Sequence, residues 1–134
     1  METKEPTNPL DKLFVYELGA REIAAFILDY LRIEREGLKI HFFPTLRISV
    51  KQKILLYLLA LRVLYSQKLR VGNSANPTTI ANDLEAIGGT IRPILKQLLD
   101  EHLVYYDAGE SLYSIPLGGI DKAMKYIQKM DKNA

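Results

Sequence analysis

The chain has 134 residues, of which 48% are apolar and 25% charged, with no cysteine and a formal net charge of +2. That length supports one compact domain with a real core rather than two, and the balance is that of a folding, soluble sequence rather than a disordered one. The absence of cysteine excludes disulfides and thiolate metal sites and favours a cytoplasmic location.

Residues 1–11 are polar and acidic with two prolines and lack the basic start and apolar stretch of a secretion signal, so they read as a loose arm. Apolar residues then recur at helical spacing. Ile23, Phe26, Ile27, Tyr30 and Leu31 share one face, which predicts a helix over residues 20–35 closed by Gly37 as a left-handed cap. Residues 38–43 alternate as a short strand until Pro44 stops the pattern. Ser49 and Gln52 have the spacing of a capping box, and the helix they open, residues 50–65, is apolar nearly all round, as expected of a helix packed on several sides. Its longest apolar run, Ile54 to Leu61, is eight residues, far below the ~20 needed to cross a bilayer.

Residues 67–76 read as a loop with a short strand at 69–71. Asn76 and Pro77 are placed as cap and first residue of a second helix that runs to about residue 85, with Ile80, Ala81 and Leu84 inward. Thr90 is the expected cap of a third helix, which puts Pro93 in the first turn, and Ile91, Ile94, Leu95, Leu98 and Leu99 form its apolar stripe up to His102. Residues 103–107 and 111–115 are β-prone and are joined by Ala108-Gly109-Glu110 as a hairpin. A last helix spans 120–130 with Ile120, Ala123, Met124, Ile127 and Met130 at coiled-coil-like spacing. The fold class is therefore mainly α with a small β-hairpin, α+β. Residues 1–48 form an N-terminal extension and residues 49–134 the domain.

Charge is uneven along this plan. Residues 32–70 carry nine basic and two acidic groups, a balance of +7, whereas residues 71–117 carry two basic and six acidic, a balance of −4. For catalysis nothing is grouped correctly: there is no glycine-rich phosphate loop, no nucleophile elbow, and no cluster of carboxylates with a histidine, so no enzyme activity and no cofactor are expected. His41 and His102 are the only histidines and have no carboxylate at ligand spacing, so no metal is expected either.

Helix, short helix, turn, helix, hairpin, helix is the order of a winged helix-turn-helix, and residues 49–116, about half the chain, resemble that superfamily in detail. Ile80-Ala81-Asn82-Asp83-Leu84 resembles its "Leu-Ala-x-x-Leu" second helix. The run from Thr90 to Leu98 resembles the start of its recognition helix, and Leu98 to Val104 resembles its "Leu-x-x-x-Gly-Leu-Val" passage into the wing. His102 departs by standing where glycine is usual, and Pro93 by offering only an apolar contact at a position that points to DNA in many relatives.

The resemblance implies sequence-specific binding of double-stranded DNA by a small transcriptional regulator, with the third helix, residues 90–102, in the major groove. Gly89, Thr90, Arg92, Lys96 and Gln97 are then the candidate readers, with Arg92 matched to guanine and Gln97 to adenine, and Lys51, Lys53, Lys68 and Arg70 the candidate phosphate contacts. It also implies a homodimer through terminal helices, the N-terminal or the C-terminal one. The competing reading is a winged-helix protein-interaction module without direct DNA binding, which the acidic balance of residues 71–117 supports.

Overall fold

The computed structural model describes residues 19–116 and 118–132; the arm expected over residues 1–11 lies outside them. Ala20–Ile27 form helix α1, Leu31–Ile33 strand β1 and Ile40–Phe42 strand β2. The helix expected to reach residue 35 thus ends eight residues early, and β1 pairs antiparallel with β2, Leu31 opposite Phe42 and Ile33 opposite Ile40. The reason is a competition between two periods. Leu31 fits the helical stripe, but Leu31-Arg32-Ile33 also alternates, and residues 40–42 offer a partner with the same alternation. Pairing buries Leu31 and Ile40 and leaves Arg32 and His41 exposed. Gly37 does take the left-handed conformation, at φ 75°, but in the hairpin turn beside Leu38 at φ 55° rather than as a helix cap.

Val50–Ser66 form α2. The capping box is present: the Gln52 N–H donates to the Ser49 hydroxyl at 3.1 Å, and the Ser49 N–H donates to the Gln52 side-chain oxygen at 2.8 Å. Two donors that any helix start leaves bare are thereby satisfied by each other's residue. Every residue from Ile54 to Leu61 is buried, because α1 and two later helices all pack against α2. Ile23, Ile27, Leu31 and Ile40 of the N-terminal segment belong to the same core as α2.

Beyond α2 the strand expected at residues 69–71 does not form. Ala75 instead bridges to Tyr113, exchanging backbone hydrogen bonds of 3.0 and 2.8 Å. Pro77–Asp83 form α3, capped as expected by Asn76, whose side chain accepts the Thr79 N–H at 2.8 Å. Gly88–Asp100 form α4, which starts two residues before the expected cap Thr90. Thr90 and Ile91 already donate to the Ile87 carbonyl, at 2.9 and 3.2 Å, so Thr90 is helical and Pro93 lies inside the helix rather than in its first turn. Tyr105–Asp107 (β3) and Leu112–Ser114 (β4) form the expected hairpin, with Tyr106 and Tyr113 rings 4.7 Å apart across it. Ile120–Lys132 form α5. The described residues are thus α+β, with five helices and two two-stranded antiparallel sheets, one more hairpin than the sequence reading anticipates.

Helices α2, α3 and α4 share one device at their ends. Lys68, Glu85 and His102 sit at φ 61°, 55° and 60°. In each case the next residue's N–H reaches back to a carbonyl of the last turn: Leu69 to Leu64, Ala86 to Ala81, Leu103 to Leu98, all within 2.8–2.9 Å. These are Schellman endings made without glycine. Left-handed backbone disfavours a Cβ by about 1–2 kcal/mol, partly offset by glycine's greater loss of chain entropy. The His102 side chain is exposed and makes no hydrogen bond with the described residues, so His102→Gly is expected to raise stability by about 1 kcal/mol in urea unfolding. A destabilised variant would contradict this account of the helix end.

Candidate nucleic-acid interface

The stripe of α4 decides which of its residues point outward. Ile91, Leu95 and Leu98 are fully buried against the core, and the 3.6-residue period therefore turns Gly89, Thr90, Arg92, Pro93, Lys96 and Gln97 to solvent. All five candidate readers are exposed. At the leading end Ile87 is 78% exposed, and a Cβ built on Gly88 or Gly89 would meet nothing within 4 Å, so the helix enters solvent as nearly bare backbone. Arg92 makes no ion pair or hydrogen bond with the described residues. It stands near the hairpin: burial raises the Tyr113 phenol's pKa, and the Arg92 charge acts against that rise. Lys96 lies 4.0 Å from Asp100, a loose exposed pair.

The four candidate phosphate contacts are not gathered beside α4. Lys51 donates to the Glu101 carboxylate at 2.8 Å and lies 5.4 Å from the Tyr126 ring, tying the start of α2 to the end of α4 and to α5. Burial works against its charge, but these partners outweigh burial and raise its pKa. Lys53 lies over the Phe42 ring at 5.8 Å. Arg70 is held by the carbonyls of Gly72 and Ser74, both at 3.0 Å, and shapes the loop between α2 and α3. Lys68 is exposed at the end of α2. Lys53 and Lys68 are separated by most of a 17-residue helix, about 20 Å or more at 1.5 Å per residue. The hairpin tip is acidic, with the Asp107 carboxylate accepting the Gly109 N–H at 3.0 Å.

The two apolar stripes offered as dimer seams are turned inward. Ile120, Ala123 and Ile127 of α5 and Ile23 and Ile27 of α1 are buried in the chain's own core. Gln52, a buried polar residue inside that core, donates to the Ile127 carbonyl at 3.3 Å and so fastens α5 to α2.

The sequence reading misses a half-buried contact between α2 and α3. The Tyr57 hydroxyl donates to the Asp83 carboxylate, and Tyr57 is 1% exposed. Burial first, then the bond to Asp83, holds this phenol well above its ordinary value of 10.0, while Arg70 acts in the opposite sense. A group whose pKa is raised by folding contributes stability that is complete below its unfolded value and is lost as pH climbs towards the folded one. Stability is therefore expected to fall above pH ~10 by about 1.4 kcal/mol per pH unit from this group, and Tyr57→Phe to remove that part of the slope in urea unfolding between pH 8 and 11. Identical slopes in the two proteins would contradict it.

Among the described residues no helix is long and apolar enough to cross a membrane. No family model, curated protein or solved structure matches the chain.

Proposed function

We propose that the chain is a winged helix-turn-helix protein of the cytoplasm that binds double-stranded DNA through α4 as a small transcriptional regulator. The arrangement supports that reading element by element. Helices α2, α3 and α4 follow in order, the two-stranded β3–β4 hairpin comes after them, and Ala75 makes a single bridge to Tyr113 of β4. The observation that carries it is the outward face of α4: seven exposed positions from Ile87 to Gln97, with Arg92 unengaged and flanked by groups that donate and accept hydrogen bonds. A helix presented this way fits the major groove, where Arg92 pairs with guanine and Gln97 with adenine.

With Lys51 paired to Glu101 and Arg70 set in the loop between α2 and α3, phosphate neutralisation falls to Lys96, Lys68 and Lys53. Random duplex DNA is therefore expected to be retarded by the protein at low salt, with log K falling against log salt at a slope of about −2 to −4. No retardation at low salt removes the proposal. A homodimer joined through α1 or α5 would rely on what those helices leave uncovered, Leu28 beside α1 and Met124 and Tyr126 on α5. A second reading, a protein-interaction module, is favoured by one observation. The end of α4 and the hairpin tip are lined by Asp100, Asp107 and Glu110, which repel phosphate but would accept a basic partner surface.

A further inference from the structure

A cavity of about 390 Å³ lies between the β1–β2 hairpin, α2 and the end of α3. That is within the size range of small-molecule sites. Its floor is apolar, made by Ile40, Leu61 and Leu64, with Leu38 from the hairpin turn closing one side. Its walls carry charge of both signs. Arg70 uses one terminal nitrogen on the Gly72 and Ser74 carbonyls and has no other partner among the described residues. Asp83 accepts the Tyr57 hydroxyl on one oxygen and keeps the other. Both residues line the cavity, yet they form no ion pair with each other. A second opposed pair, Lys39 and Glu85, stands at the wall with 3.7 Å between charges and both side chains largely exposed.

We propose that this cavity binds a free α-amino acid with an apolar side chain, its carboxylate on Arg70, its ammonium on Asp83, and its side chain on the Ile40, Leu61 and Leu64 floor. A simple anion would meet Asp83 and Glu85, and a simple cation would meet Arg70 and Lys39, each partly repelled. A zwitterion satisfies both walls at once, and the apolar floor favours a side chain such as that of leucine or phenylalanine over hydrogen. This site is distinct from the outward face of α4, and its test uses the free full-length chain without DNA, so it stands or falls separately from the DNA-binding proposal.

The experiment is thermal unfolding and methyl NMR with L-leucine, glycine, 4-methylpentanoate (the acid alone) and isoamylamine (the amine alone). Leucine is expected to raise the midpoint by about 5 °C at ten times its Kd, and to move the methyl signals of Ile40, Leu61 and Leu64. Glycine, 4-methylpentanoate and isoamylamine are expected to bind at least about ten-fold more weakly, one charge contact or the apolar contact being lost in each. Asp83→Asn keeps an oxygen for Tyr57 and removes only the charge; it should weaken leucine about ten-fold and leave 4-methylpentanoate no weaker. Wild-type methyl shifts supply the answer where that variant is unstable. The proposal is overturned by no midpoint rise with any amino acid, by equal affinity for leucine and its single-charge analogues, by shifts confined to other methyls, or by undiminished leucine binding to Asp83→Asn.

Discussion

Gln52→Leu is expected to destabilise the protein by about 2–4 kcal/mol, although it puts an apolar side chain of similar size at a position only 4% exposed. The amide does two things that leucine cannot. Its oxygen accepts the Ser49 N–H at 2.8 Å, and its nitrogen donates to the Ile127 carbonyl at 3.3 Å. Removing the amide leaves the buried Ile127 carbonyl unsatisfied at about 1–3 kcal/mol and opens the half-buried bond at the helix start at about 1 kcal/mol, whereas the gain from burying a few more methyl or methylene atoms is smaller. Ser49→Ala should cost less, about 1 kcal/mol, since it removes the cap and leaves the contact to α5 in place. Urea unfolding distinguishes them. A Gln52→Leu protein as stable as the parent would mean that α5 is held by its apolar stripe alone.

Arg92→Ala is expected to lower affinity for the preferred duplex by about ten- to a hundred-fold, or 1–3 kcal/mol, while binding to unrelated duplexes falls far less. The side chain is exposed and makes no hydrogen bond or ion pair with the described residues, so stability should be unchanged and the loss attributable to the interface. Lys53→Ala is the control. Its ammonium lies over Phe42 and belongs to α2 rather than to the α4 face, so its loss should weaken all duplexes alike and reduce the salt slope by about one. The readout is competition binding across a random duplex library. Unchanged preference in Arg92→Ala would refute base reading by that residue, and a library-wide absence of binding would favour the protein-interaction reading.

The parts of this fold legible in the sequence are those whose chemistry closes within three or four residues. Ser49 and Gln52, Asn76 ahead of Pro77, and the apolar encirclement of residues 54–61 each carry their structural meaning locally. His102 stands where the resemblance implies a glycine, and it is left-handed at φ 60°. Where two local patterns competed, sequence reasoning chose wrongly. Residues 31–33 satisfy both a helical and an alternating period, and only the presence of residues 40–42 at pairing distance selects the strand. The start of α4 was misplaced because a threonine is a better cap than an isoleucine by side chain. The backbone carbonyl of Ile87 nevertheless takes the first helical bonds without any side-chain help.

The candidate site divides in the same way. The period of α4 alone determines that Gly89, Thr90, Arg92, Lys96 and Gln97 share the face opposite Ile91, Leu95 and Leu98. No local pattern says which cations are free. Lys51 meets Glu101 fifty positions away, Gln52 meets Ile127 seventy-five positions away, and the cavity brings Leu38 together with Asp83. Turns and periodic stripes follow from short-range sterics and hydrogen bonds that each residue carries with it. The availability of a charge, the closing of a pocket and the covering of an apolar stripe depend on which distant surfaces meet when burial of the common core brings them together.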